Sequence, residues 1–206
     1  MGEYYFPCVL KSHKKTAPNK GKVISYIYAH KFDNGLKQME FGYIGNDVMN
    51  ALEALIVKEG NMFVGKYAGY PIVLAGDYDD PEPYKMNGQK RNLYDLADEY
   101  GTEINPQWLK NNGIEPLRYP NHYRYIINET KGVYFDTNRI KADKYGYKIH
   151  PIAILCAGDK PKGGGCYYGK NMRMFGSWKR NVVVVSNDKP DEKIYREVYY
   201  DFKEDY

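Results

Sequence analysis

Apolar positions in this chain fall mostly into short runs broken by polar turns, and two stretches carry a helical period. Tyr4–Leu10 reads as a strand, Lys11–Lys22 as a polar loop, and Val23–His30 as a second strand. Phe32-Asp33-Asn34-Gly35 supplies an Asn-Gly turn signal, which predicts Leu36–Ile44 as the return strand of a hairpin with Val23–His30. Asn46–Glu59 is the strongest predicted helix: Asn46 caps it, Val48, Met49, Leu52, Leu55 and Ile56 share a face, and Gly60 stops it. Gly65–Asp77 holds a strand at Tyr70–Ala75, and Tyr78–Asn87 is a loop rich in Pro and acid. Asn92–Tyr100 is a second helix with Leu93, Leu96 and Ala97 on one side. Further on, Tyr125–Asn128 and Val133–Thr137 form a strand pair about Gly132, and Glu192–Tyr206 is a final strand or edge segment.

One pattern occurs twice. Gly65–Asp77 (GKYAGYPIVLAGD) and Gly176–Asp188 (GSWKRNVVVVSND) both place Gly, an aromatic two residues on, a β-branched-rich run and then Asp. Setting Tyr26-Ile27 against Tyr125-Ile126 also brings Leu36 onto Phe135, Phe41 onto Ile140 and Ala54-Leu55-Ile56 onto Ala153-Ile154-Leu155. The second copy then needs one insertion, between Cys156 and Gly176. The expected architecture is α+β: two related units of antiparallel hairpin, short helix and strand. They span residues 1–100 and 122–206, joined by a Pro/Asn-rich linker at 101–121, and the second carries an inserted Gly-rich loop.

Composition adds two biases. The net charge is +4 with a pI near 8.7, a mild basicity that falls short of a strong nucleic-acid signature. Tyr is in excess, at 23 residues against 7 Phe and 2 Trp. That suits either strands with half-exposed faces or an interaction surface. The Lys-rich Lys11–Lys22 is a solvated loop or a phosphate-contacting arm. Three cysteines (Cys8, Cys156, Cys166) cannot all pair, and neither CxxC nor HxxxH spacing occurs, so no metal and no cofactor are expected. Met1–Leu10 lacks signal-peptide character, and no apolar run approaches the roughly 18 residues needed to span a bilayer. The expected compartment is the cytosol, and a homodimer is left open.

The most distinctive chemistry lies in the inserted loop. Asp159–Gly165 (DKPKGGG) offers unhindered backbone N–H groups beside Lys160 and Lys162, a combination that cradles anions, although it is neither a Walker A loop nor a GxGxxG turn. With Tyr167, Tyr168, Arg173, Trp178, Lys179 and Arg180 it would make a basic, aromatic face around Gly163, Gly164 and Gly165. Such a face suits single-stranded or structured RNA, or a nucleotide ligand, and through RNA a nucleoprotein. A flexible hairpin tip is the plainer reading of the same glycines. His150 with Lys162 and Arg180 would serve a metal-independent ribonuclease or phosphodiesterase, although a single His at an element boundary is ordinarily structural. Asp77, Asp79, Asp80 and Glu82 are close enough for a hard cation or simply form a solvated acidic turn.

IHPIAILCAGDKPKGGGCYYG, leading to FGSWKRNVVVVS, resembles a recurrent pattern in uncharacterised proteins of Gram-positive bacteria and their mobile elements, and AGDYDDPE followed by Asn92-Leu93-Tyr94 is similar to its companion segment. The resemblance covers most of the chain. It implies a compact accessory protein of a phage, plasmid or host, of the kind that includes anti-CRISPR proteins. The function expected from it is binding and inhibition of a host nucleoprotein or defence complex. The alternatives are the RNA-cleaving enzyme above and a structural or oligomerising module.

Overall fold

Apolar, β-branched and aromatic runs drawn from both ends of the chain build one mixed sheet. The computed structural model describes residues 1–11, 23–58, 64–83, 85–118 and 121–202. Its strands are β1 (Tyr5–Leu10), β2 (Val23–Ile27), β3 (Pro71–Gly76), β4 (Lys85–Met86), β5 (Gln89–Lys90), β6 (Thr102–Ile104), β7 (Tyr125–Asn128), β8 (Val133–Asp136), β9 (Asn181–Ser186) and β10 (Arg196–Glu197). Between them lie α1 (Gln38–Phe41), α2 (Asp47–Ile56), α3 (Leu93–Tyr100), α4 (Pro106–Asn111) and α5 (Pro151–Leu155). Eight strands form one sheet in the order β10-β8-β7-β9-β3-β1-β2-β6, and β4 with β5 makes a separate hairpin. The class is α+β.

The order reads alike outward from the β3–β9 contact. β3 is antiparallel to β1, β1 antiparallel to β2, and β2 parallel to β6. β9 is antiparallel to β7, β7 antiparallel to β8, and β8 parallel to β10. The inner strands pair only at Pro71↔Val182 and Ile72↔Asn181. Each is then flanked by a segment from the opposite half. Val57, leaving α2, bridges Val185 of β9, and Ala157, leaving α5, bridges Leu74 of β3. Leu74 N donates to Cys156 O at 2.8 Å, Gly158 N to Leu74 O at 2.8 Å, and Lys58 N to Val185 O at 2.9 Å.

The Gly-x-aromatic turns make matching contacts in both halves. Gly65 N and Tyr67 N donate to Ala54 O and Leu55 O at 2.7 and 2.8 Å, while Gly176 N and Trp178 N donate to Ile154 O and Leu155 O at 3.0 and 2.6 Å. These bonds go to carbonyls of the last helical turns, where the helix itself runs out of donors. The aromatic of each turn, Tyr67 or Trp178, is buried.

Both sheet faces are covered along β1 and β3, where every residue is buried, so these strands are continuous apolar runs and not alternating ones. α3 lays Tyr94 on Phe6, ring over ring at 4.0 Å. In the second half Ile126, Phe135, Val183 and Val185 join the main core, while Tyr125, Ile127, Tyr134 and Val184 form a smaller cluster. Phe135 packs on Trp178 at 5.8 Å and on Phe202 at 6.2 Å between ring centroids. The main core is continuous across both halves.

Several expectations need correction. The hairpin of Val23–His30 with Leu36–Ile44 does not form: β2 pairs with β1 and β6, and 36–44 contains α1. Phe32-Asp33-Asn34-Gly35 closes a 3-10 turn at Ala29–Phe32, with Asp33 at φ 55° as its cap. The Glu40 carboxylate then reaches back to accept the Lys37 N–H at 2.9 Å and so opens a helix. The Asn-Gly pair that does turn a hairpin is Asn87-Gly88, at φ 51° and 81°, inside and beyond the stretch read as loop. The match of Tyr26 to Tyr125 also fails, because Tyr26 lies in β2 and Tyr125 in β7, which occupy different places in the order. Short β-branched and aromatic runs superimpose on one another too readily to fix which strand is which. The stretch 101–121 includes β6 and α4 and so adds a strand to the sheet edge. The helix caps at Asn46 and Asn92 and the β7–β8 pair agree with the sequence reading. Most of Lys11–Lys22, and the Gly60 stop, lie outside the described residues.

Candidate functional site

The Gly-rich loop Asp159–Gly165 does hold a carboxyl group, that of the protein's own Glu3. Glu3 Oε2 accepts Lys162 N at 2.7 Å and Gly163 N at 2.9 Å, with Cys166 Sγ donating at 3.3 Å. Glu3 is fully buried, and the backbone closes the seam: Glu3 N donates to Gly164 O at 3.1 Å and Gly164 N to Met1 O at 3.0 Å. Cys166 also meets Tyr5 OH at 3.5 Å. Burial, with Glu3 beside it, pushes the Cys166 thiol up to about 12, away from thiolate chemistry.

A second clasp joins the loop to the acidic turn of the first half. Asp79 accepts Gly76 N at 2.9 Å and Asp159 N at 2.8 Å, and Asp159 in return accepts Asp80 N at 2.8 Å. Gly158 is required here, because a Cβ would stand 1.8 Å from Asp79 Oδ2. Burial raises the Asp79 carboxyl to about 6, and the nearby Asp159 and Glu3 carboxylates act in the same direction against its two amide bonds. Three cations from the proposed basic face complete the arrangement. Lys162 pairs with Asp80 at 2.9 Å, Lys179 pairs with Asp159 at 2.9 Å, and the buried Arg180 pairs with the buried Glu82. Arg180 takes a left-handed φ of 61°, a strained conformation for a long side chain, with its N–H held by Ile72 O at 2.9 Å. Asp79, Asp80, Glu82, Asp159, Lys179 and Arg180 line a cavity of about 20 Å³, room for a single water.

The structure therefore distributes the sequence-selected residues over different settings. Tyr167 and Trp178 are buried in the core, with Tyr167 N held by Gln38 Oε1 at 2.8 Å. Tyr168 is exposed, its hydroxyl donating to Gly163 O at 2.8 Å. Lys160 and Arg173 are exposed, and Gly165 O accepts Met39 N at 3.0 Å. His150 lies elsewhere, buried at the N-terminus of α5. Its Nδ1 accepts Ile152 N at 3.1 Å, which leaves Nε2 to donate to the buried Glu53 Oε1 at 3.1 Å. Lys162 and Arg180 bond to groups other than His150. Among the described residues no group of three His, Cys, Asp or Glu is arranged to hold a metal ion, and no helix is long and apolar enough to cross a membrane.

Sequence reasoning passed over the loop Lys141–Lys148, KADKYGYK. Here Tyr145 is 70% and Tyr147 59% exposed. Asp143 Oδ1 accepts Tyr145 N at 2.9 Å and Tyr147 N at 2.8 Å, and Asp143 N donates to Tyr147 O at 2.8 Å. Gly146, at φ 90°, makes the tight turn. Lys144 lies over the Tyr145 ring at 5.0 Å, Tyr147 packs on Tyr43 at 5.3 Å, and Lys148 O ties the loop down by accepting Ile44 N at 2.9 Å. Two Tyr about a Gly with a Lys on either side was visible in the sequence as a signal for such a platform.

No protein-family model, curated protein or solved structure matches the chain.

Proposed function

We propose that this is a non-enzymatic binding protein that docks onto exposed single-stranded nucleic acid in a nucleoprotein, such as a host defence complex, through the Lys141–Lys148 loop. The observation that carries the reading is the pre-set pair Tyr145 and Tyr147, two exposed rings on a turn fixed by Asp143 and flanked by lysines. Stacking on a base is worth about 1–3 kcal/mol per ring and tolerates any sequence, and neighbouring ammonium groups follow the phosphates. An ordered turn reduces the entropy lost on binding. The internal pairing of Lys162, Lys179 and Arg180 moves the contact face away from the Gly-rich loop, whose exposed Lys160, Tyr168 and Arg173 would serve as outlying contacts. We also infer that the two halves descend from one duplicated unit. The repeated strand order, the repeated Gly-aromatic contacts and the pairing of Pro71 with its sequence counterpart Val182 support this.

The test is fluorescence anisotropy with a labelled oligouridylate and with the same strand in a duplex. Tyr145→Ala with Tyr147→Ala should weaken single-strand binding at least tenfold with an unchanged circular dichroism spectrum. Equal affinity of the double variant, or no binding of either probe, defeats the proposal.

A further inference from the structure

The β4–β5 hairpin breaks a local rule. Lys85 and Lys90 stand directly opposite each other across the two strands, and both are exposed. Like charges at opposed positions, with Cβ atoms about 5 Å apart, destabilise a ladder. A free two-stranded hairpin is already marginal. Among the described residues neither lysine has a carboxylate partner, whereas Arg91 at the foot of the hairpin pairs with Asp95 and Glu99. The hairpin is nonetheless tied to the body at its turn and at its base. Its turn uses Asn87 and Gly88 at φ 51° and 81°, and Asn87 Nδ2 donates to Tyr100 OH at 3.2 Å. At its base Glu82 N donates to Arg91 O at 2.8 Å, and the Glu82 carboxylate is anchored on Arg180. A pre-positioned, exposed pair of uncompensated ammonium groups is a place where local stability has been given up. A polyanion laid across the pair removes the repulsion.

We infer that this hairpin is a phosphate-contacting finger, with Lys85 and Lys90 gripping the nucleic-acid backbone as a second contact for the partner of the Tyr145/Tyr147 loop. The inference rests on the nucleic-acid reading above, and its test separates the two. Anisotropy with labelled oligouridylate is followed through a salt titration for the wild type, for Lys85→Gln with Lys90→Gln, and for Tyr145→Ala with Tyr147→Ala. Two lost phosphate contacts on a single strand should make the log–log slope shallower by about 1.4. The tyrosine variant should lose affinity at an unchanged slope. Lys90→Glu, which turns a like-charge pair into an opposite one, should weaken binding further while its melting temperature stays level or rises. An unchanged slope and affinity in the lysine variants overturns the finger, leaving the lysines as guards of an exposed strand edge, and the tyrosine result still stands. A fall in melting temperature with Lys90→Glu removes the argument from repulsion. If the wild type binds no oligouridylate, heparin resin reads the finger alone: earlier elution of the lysine variant supports it, and identical elution refutes it.

Discussion

Replacing Asp79 by Asn should change how stability depends on pH, with a sign the clasp dictates. Asp79 holds Gly76 N and Asp159 N, is partly buried, and shares its surroundings with the Asp159 and Glu3 carboxylates. Its carboxyl rises from 3.8 to about 6 in the folded protein. The native state therefore holds this proton more tightly than the unfolded chain does. The site contributes most stability below the unfolded value and loses it as pH rises through the folded value. Between pH 7 and pH 5 acidification should add about 1.3 kcal/mol from this group, the integral of roughly 1.4 kcal/mol per unit across the titration. Asn carries no such proton, and one of its two positions faces an amide N–H with another donor. The assay is urea unfolding of both proteins at several pH values, and the quantity of interest is the difference, in which every titrating group that does not interact with Asp79 cancels. Relative to the wild type the variant should be worse at pH 5 than at pH 7 by about that amount. A difference independent of pH, or one that grows toward pH 7, would refute the assignment of a raised carboxyl to this clasp.

Other parts of the molecule give sharper yes-or-no outcomes. Gly158→Ala forces a methyl into the space of the Asp79 carboxylate and should cost on the order of 2–3 kcal/mol in denaturant unfolding, whereas Gly146→Ala, with open space around it, should cost only the left-handed strain of about 1 kcal/mol. Glu53→Ala strands the buried His150 Nε2 and leaves a cavity; a loss of about 3–5 kcal/mol is expected by chemical denaturation, with Glu53→Gln recovering most of it. Cys8, Cys156 and Cys166 are all buried with thiols raised by burial, so a thiol reagent at neutral pH should label none of them until urea is added.

Local signals were legible where a side chain acts on its own neighbours. Asn46 and Asn92 cap their helices, and Gly132 turns β7 into β8. What the sequence hid depends on distant partners. The anion-binding capacity of the Gly-rich loop was visible, but nothing local says that Glu3, far away in sequence, fills it. Lys162 and Arg180 read as free cations for the same reason, since Asp80 and Glu82 reach them only through the meeting of the two halves, while Lys179 finds Asp159 within its own half through the path of the loop. The misplaced hairpin has a different cause: Asn34-Gly35 follows a turn-forming Asp33, and the Glu40 carboxylate, accepting the Lys37 N–H, favours a helix start where period alone suggested a strand.

The exchanged bridges at Val57 and Ala157 bear on how the chain is made. During synthesis the first hundred residues leave the ribosome with the outer edge of β3 bare, because the segments that cover it, around Ala157 and Val182, are still unmade. Val57 likewise waits for Val185. Completion is postponed until the last third of the chain appears, and in that interval a nascent chain presents an open edge to any neighbour on the same message.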